Sequence, residues 1–157
     1  HLIQRHPWTN YEFWRDATRG LPKLAVGPGS EQIGGPGPVP YDMMRGLLQD
    51  ARCYLYTGTQ PASYTLGLIE ALMTGIPVVS IGPSHMRIFP YGHDLFEGHE
   101  LCDAWGNNPE AVRLMLSALL QNHDLARTIS MSQRTRAITE FGRKTVAEQW
   151  RDFLDAP

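Results

Sequence analysis

In the central part of the chain, short apolar runs alternate with segments whose apolar side chains recur at helical spacing. YDMMRGLLQD (41–50) predicts a helix, and the strand-like run CYLYT (53–57) follows it. YTLGLIEALMT (64–74) predicts a second helix that ends at Gly75, and PVVSI (77–81) is typical of a strand buried on both faces. This alternation favours βαβ units with right-handed crossovers. The predicted fold class is therefore α/β, a doubly wound parallel sheet with helices on both faces.

The flanking regions extend this prediction. Residues 10–18 predict a short helix, and KLAV (23–26) predicts a brief buried strand closed by a Gly-Pro-Gly turn. GGPGPVP (34–40) predicts an irregular crossing, because proline lacks an N–H and restricts the residue before it. Asn108 is a predicted N-cap with Pro109 at the first helical position. C-terminal amphipathic helices are then expected over residues 110–120, 124–140 and 145–154.

Length and composition indicate one soluble domain spanning residues 1–157. A chain of 157 residues buries enough surface to form a core without disulfides or a metal. The 14 basic and 16 acidic residues form no long block of one sign, which disfavours nucleic acid as a partner. Cys53 and Cys102 stand far apart, as expected of free thiols in a reducing cytoplasm. No apolar run has the length of a signal peptide or transmembrane segment, so a cytoplasmic location is expected, with peripheral membrane association and oligomeric state left open.

The loop TGTQPAS (57–63), between a predicted strand and the helix after it, is a candidate phosphate site. In open parallel sheets, ligands bind beyond the carboxyl ends of the strands, where helix N-termini present unpaired amides. Gly58 allows close backbone approach, Ser63 and Thr65 supply hydroxyls, and the amides of Tyr64, Thr65 and Leu66 begin the helix. Ordinary helix capping by the same hydroxyls is the alternative interpretation.

Glu70 is the one carboxylate in an otherwise apolar predicted helix. Such a group needs a partner or an opening to solvent. Two interpretations stay open at this point. The carboxylate accepts hydrogen bonds from the adjacent hydroxyls of a ribose, as acidic residues do in other nucleotide-binding α/β domains, or it is a solvent-facing helix residue.

Several other chemistries are disfavoured by the sequence. No glycine-x-serine-x-glycine turn occurs, and no glycine-rich loop ends in lysine and a hydroxyl residue, which argues against a hydrolase and a P-loop enzyme. The potential zinc ligands lie far apart in one segment, without the close pairing of a structural zinc site, so no metal is predicted. These are His85, His93, Asp94, His99 and Cys102.

The segment SYTLGLIEALMTGIPVVSIG (63–82) resembles the donor-binding signature of GT-B glycosyltransferases of the retaining, family-4 type (glycosyl transferases group 1). The match consists of a glutamate, an alanine, an apolar pair, then glycine, a variable residue and proline before two valines. LAVGPG (24–29) is similar to the strand and glycine turn of that family, and the resemblance extends over residues 24–154. It implies a Rossmann-like donor domain whose N-terminal acceptor domain is absent from this sequence.

The resemblance further implies that the domain binds a nucleotide-sugar donor, which is a substrate rather than a cofactor. Glu70 would hold the ribose hydroxyls, and the amides at the start of its helix would meet the diphosphate. Arg87, shortly after the strand 77–81, is the expected phosphate-binding cation. The expected binding residues are Ser63, Tyr64, Thr65, Leu66, Glu70, Gly27, Gly29, Gly58 and Arg87. The domain would stabilise the departing diphosphate during sugar transfer and is expected to be inactive without an acceptor domain or partner subunit.

Two departures from the family pattern support an alternative hypothesis. Ala62 stands where the family has a first glutamate that holds the sugar, and neither Arg5 nor Arg15 aligns with the basic pair that neutralises the diphosphate. The alternative is a non-catalytic interaction domain that has lost nucleotide-sugar binding. It would use apolar patches around Trp8, Trp14 and Trp150 to pair with itself or with another subunit.

Overall fold

A computed structural model describes residues 10–58, 66–82 and 104–156 of the chain. The helices are α1 (Tyr11–Ala17), α2 (Tyr41–Asp50), α3 (Leu66–Thr74), α4 (Pro109–Gln121), α5 (His123–Phe141) and α6 (Arg143–Asp155). The strands are β1 (Tyr54–Tyr56), β2 (Val78–Ile81) and β3 (Trp105–Gly106), and a short 3₁₀ helix spans Ser30–Ile33. The helices expected from the sequence are therefore present in the described ranges, with ends shifted by a few residues.

Local capping explains several helix boundaries. The Asn108 side chain accepts a hydrogen bond of 2.8 Å from the Ala111 amide, with Pro109 in the first turn, as predicted. Asn122 caps α5 in the same way through a 3.0 Å bond from the Leu125 amide. Gly75 ends α3 in the left-handed conformation at φ 84°, which glycine adopts without strain.

The described strands form a parallel sheet in the order β1-β2-β3. Tyr54 pairs with Val78 in β1 and β2, while Ser80 pairs with Trp105 in β2 and β3. The α/β class is therefore confirmed. The short strand β3 has no counterpart in the sequence prediction. The strand order β1-β2-β3 runs in one direction across the described sheet, whereas a doubly wound sheet also contains a point where the strand order reverses. The doubly wound arrangement therefore stays a prediction.

Strand β2 is buried along its whole length and divides the core into two clusters. Val79 and Ile81 pack with residues of α1 and α4, including Phe13 and Leu116. Val78 belongs to the other cluster, which holds residues of α2, α3 and α5. Because alternate residues of a strand point to opposite faces, helices cover both faces of the sheet, as predicted.

The prediction of a buried strand at residues 23–26 is wrong. No strand forms there, and Leu24 is 56% exposed. The backbone after this segment bonds instead to the glycine-rich loop: the Gly27 amide donates to the Gly37 carbonyl at 2.9 Å. Gly35 lies directly against the Ala25 carbonyl. The loop therefore holds the segment away from the sheet, and residues 34–40 form the irregular crossing that was expected.

Among the described residues, none of the helices is long and apolar enough to cross a membrane. Cys53 is a half-buried free thiol whose pKa is raised by burial, and Cys102 lies outside the described residues.

The tyrosines of β1 predict a loss of stability in alkali. Burial raises the pKa of Tyr56 from its ordinary 10.0 to about 12. The Tyr56 hydroxyl therefore ionises at a lower pH in the unfolded chain than in the folded protein. Its contribution to the free energy of unfolding is complete below pH 10 and is lost as the pH rises toward 12. Urea unfolding between about pH 9 and pH 11 should show this decline, and Tyr56→Phe should make it shallower. An equally steep decline in Tyr56→Phe would contradict this assignment.

Candidate functional site

The carboxyl ends of the parallel strands lie at one edge of the sheet, where α/β proteins commonly bind ligands. Thr57 and Gly58 follow β1 there, and Gly58 has a left-handed φ of 66°. The Asn10 side-chain amide donates a 2.7 Å hydrogen bond to the Thr57 carbonyl. Asn10 itself has a φ of 52°, a conformation that asparagine tolerates better than most residues. This contact fixes the start of α1 against the end of β1.

The ends of β2 and β3 are closely packed. A side chain at Gly82 would overlap the Asn107 side-chain oxygen and would lie 2.8 Å from the Trp105 ring. The Gly82 amide donates to the Gly106 carbonyl at 2.9 Å. Because these backbones approach so closely, the glycine leaves no room for a ligand between Gly82 and Asn107.

Open space lies instead along the outer edge of β1. A cavity of about 590 Å³ separates β1 from residues 21–26. We call this space the β1-edge cleft. Its walls are mainly apolar and include Trp14, Leu24, Val26 and Leu47. Lys23 also lines it, with its ammonium group 5.1 Å from the centre of the Trp14 ring, so a cation and an aromatic face lie together at the cleft.

Glu70 lies on α3 and lines the β1-edge cleft together with Gly67 and Tyr54. Glu70 is exposed to solvent, and its negative charge adds to burial in raising the pKa of Tyr54. A Cβ atom at Gly67 would lie 3.8 Å from the Tyr54 hydroxyl, so this helix turn passes directly over that side chain. In the described ranges no hydrogen bond or ion pair occupies the Glu70 carboxylate.

Glu70 also borders a second, smaller cavity of about 330 Å³. Arg45 of α2 and Arg134 of α5 line it, as does Tyr41. The carboxylate thus stands between an apolar cleft and a cavity bordered by two guanidinium groups. This arrangement suits a ligand with an apolar ring, hydroxyl groups and negative charge.

The other predicted binding residues are only partly described. Ser63, Tyr64, Thr65 and Arg87 lie outside the described residues, as do the alanine at position 62 and the candidate zinc ligands. Leu66 is the first residue of α3 and is 63% exposed. Gly27 and Gly29 have left-handed φ values of 116° and 90°. The Gly27 amide already donates to Gly37, so its N–H is not available to a ligand in this conformation.

Glu70 is the one predicted binding residue, among those described, that lines the β1-edge cleft. Sequence reasoning missed Lys23 and Tyr54 as residues of the cleft. Tyr54 was recognisable only as one aromatic side chain of the predicted strand CYLYT. Lys23 was assigned to a predicted strand, whereas in the structure it lies outside the sheet and its ammonium group contacts the Trp14 ring.

The described residues contain no cluster of three or more histidine, cysteine or acidic side chains able to hold a metal. Comparison with family models, curated proteins and solved structures finds no match to this chain. The features of this chain that bear on its function are therefore the geometry of the β1-edge cleft and the sequence pattern around Glu70.

Proposed function

We propose that this chain is the donor-binding half of a glycosyltransferase, which holds a nucleotide-sugar while an acceptor domain or partner subunit supplies the second substrate. The observation that carries the proposal is the Glu70 carboxylate, which is exposed and has no partner among the described residues. It lines an apolar cleft of about 590 Å³, within the size range of small-molecule sites.

The chemistry of a nucleotide-sugar matches the parts of this site. The apolar wall with Trp14 and Val26 supports a planar base. Glu70 accepts hydrogen bonds from the ribose hydroxyls, because a carboxylate offers several acceptor positions. The N-terminus of α3 attracts the diphosphate through its unpaired amides and dipole. Arg87 is assigned to the phosphates from sequence alone.

The proposed catalytic contribution is electrostatic. Transfer of the sugar breaks its bond to the diphosphate, which leaves with added negative charge. Helix amides and cations that hold this diphosphate lower the energy of the transition state. The chain alone is expected to bind donor without transferring sugar, because in this proposal the acceptor is held by a second domain or subunit.

A second candidate function is a non-catalytic interaction domain. It is supported by exposed aromatic residues on α6, where Trp150 is 60% and Phe153 is 72% exposed. Ala62 in place of the sugar-binding glutamate of the resembled family also favours it. This domain would keep the fold without responding to nucleotides.

A thermal-shift titration with UDP, GDP, ADP and their common sugar conjugates separates the two functions. A ligand at 100 times its dissociation constant stabilises the folded state by about 2.7 kcal/mol. Donor binding predicts a shift with one base. No shift with any member of the panel would overturn the proposed function and favour the interaction domain.

Glu70→Gln tests the assigned residue. Removing the charge should weaken nucleotide binding by about 1 to 3 kcal/mol, while the unliganded protein keeps its melting temperature because the side chain is exposed. Glu110→Gln is the matched control, since Glu110 is an exposed carboxylate at the start of α4. Equal affinity in Glu70→Gln and the unsubstituted protein would remove Glu70 from the site.

A further inference from the structure

Helix α6 is amphipathic, yet none of its residues is buried. Thr145, Val146 and Ala147 near its start are half-buried, and the rest of the helix is exposed. Its large apolar side chains are among the most exposed in the described residues: Trp150 at 60%, Phe153 at 72% and Leu154 at 71%. Apolar side chains grouped in this way on one surface mark an interaction site.

The exposed side chains follow the spacing of a coiled-coil seam. Arg143, Val146, Trp150 and Phe153 are separated by three, four and three residues, which places them on one stripe of the helix. Leu154 and Ala147 flank this stripe on the same side. The Trp150 and Phe153 rings already contact edge to face, with centroids 6.0 Å apart. The two aromatic side chains of the stripe therefore already contact each other in the single chain.

The charges of α6 oppose its helix dipole. The first turn has Arg143 and Lys144 and no acidic residue, whereas Asp152 and Asp155 lie near the end, where no basic residue occupies the last turn. The favourable arrangement is the reverse, with acidic residues first and basic residues last. An antiparallel neighbour of the same sequence would bring each end beside charges of opposite sign.

We propose that α6 pairs with α6 of a second copy of this chain, antiparallel, about a two-fold axis near Glu148. Arg143 then lies over the Phe153 ring of the second copy, a cation–π pair. Val146 meets Trp150, so a smaller side chain faces a larger one. The interface is isologous, as in most two-fold dimers.

Two other arrangements fit these residues less well. A parallel pair would place Arg143 against Arg143 and Trp150 against Trp150, which combines charge repulsion with overcrowding. A membrane-surface helix needs an excess of lysine and arginine on its polar face. Helix α6 instead has equal numbers of basic and acidic residues: Arg143, Lys144 and Arg151 against Glu148, Asp152 and Asp155.

Sedimentation velocity of the chain from about 1 to about 100 µM tests the association, which should be weak because a 13-residue helix offers a small interface. We expect a reversible monomer–dimer equilibrium. Trp150→Ser should raise the dissociation constant at least about tenfold. Leu114→Ser is the control, because Leu114 is 66% exposed on α4 and outside the stripe. A monomer throughout this range, or a dimer unchanged by Trp150→Ser, would overturn the proposal.

A pyrene label tests the antiparallel direction, in a background where Cys53 and Cys102 are replaced by serine. Cysteine introduced at Gln149 lies near the axis and should give excimer emission. Cysteine introduced at Ala156, seven residues after Gln149 and therefore close to the same side of the helix, should give none, because the two copies of that position lie about 24 Å apart along the helices at 1.5 Å per residue. Excimer emission from the Ala156 label would indicate a parallel pair and contradict the proposal. The outcome does not depend on nucleotide binding, so it is separate from the proposed function.

Discussion

Replacing Gln133 by leucine is expected to lower the free energy of unfolding by about 3 kcal/mol, a large effect for one polar side chain. Gln133 is fully buried on α5. Its side-chain oxygen accepts a 2.8 Å hydrogen bond from the Val78 amide, and its nitrogen donates a 2.8 Å bond to the Val78 carbonyl. Leucine has a similar volume but can form neither bond.

The sheet register explains why these bonds matter. Val78 begins β2 and pairs with Tyr54 of β1. The described pairing with β3 begins only at Ser80, whose amide donates to the Ala104 carbonyl. Gln133 therefore bonds to Val78 just before the described pairing with β3 begins. Leucine removes both of these bonds, and the loss of a buried hydrogen bond costs about 1 to 3 kcal/mol.

Urea unfolding monitored by circular dichroism measures the loss, and hydrogen exchange at the Val78 amide locates it. Gln121→Leu, at an exposed position on α4, should change stability by less than about 0.5 kcal/mol. Gln133→Glu gives a second readout. Its buried carboxylate disfavours folding at neutral pH, and protonation restores a donor to the Val78 carbonyl. That variant should therefore regain stability as the pH falls, and a Gln133→Leu protein as stable as the unsubstituted chain would contradict the assignment.

The elements that could be predicted from sequence are those with strong local signals. Helix α2 has the predicted bounds, and α4 begins at the expected asparagine and proline. The buried strand β2 followed from its β-branched residues. Strand β3 could not be predicted, because two residues are too few to show an alternating pattern and only their pairing with β2 defines the strand. The buried role of Gln133 was equally hidden, since a glutamine in a polar helix ordinarily faces solvent.

The candidate site was predictable only in part. Glu70 stood out as a carboxylate in an apolar helix, and it lines a cavity. The β1-edge cleft itself was not predictable, because it exists where residues 23–26 fail to pair with β1. The segment is held instead by hydrogen bonds within residues 27–37, such as the one from the Gly27 amide to the Gly37 carbonyl, and these override the strand propensity of KLAV.

The second large expected effect is a loss of stability in Gly35→Ala, a substitution in the loop that holds residues 23–26 away from β1. A Cβ atom at position 35 would overlap the Ala25 carbonyl and would lie 2.7 Å from the Ser30 side chain. Ser30 is buried, and its hydroxyl accepts a 2.9 Å hydrogen bond from the Gly37 amide. The overlap is with backbone, so relief requires movement of the loop. We expect a loss of about 2 to 3 kcal/mol in the free energy of unfolding.

Gly46→Ala provides a control of opposite sign. Gly46 lies inside helix α2, and a Cβ atom there would meet nothing within 4 Å. Alanine is a better helix former than glycine, so this variant should gain up to about 1 kcal/mol. Both substitutions add one methyl group, and urea unfolding of the two proteins compares them directly. A Gly35→Ala protein that matched Gly46→Ala in stability would mean that the loop does not pack against Ala25 and Ser30.

The same variant connects the loop to the β1-edge cleft. If the loop holds residues 23–26 away from β1, displacing it should change the surroundings of Trp14, which lines the cleft beside Lys23. Tryptophan fluorescence of Gly35→Ala should then differ from that of the unsubstituted protein under native conditions, and Trp14→Phe should remove that difference. An unchanged spectrum together with the loss of stability would confine the role of Gly35 to the loop and separate it from the cleft.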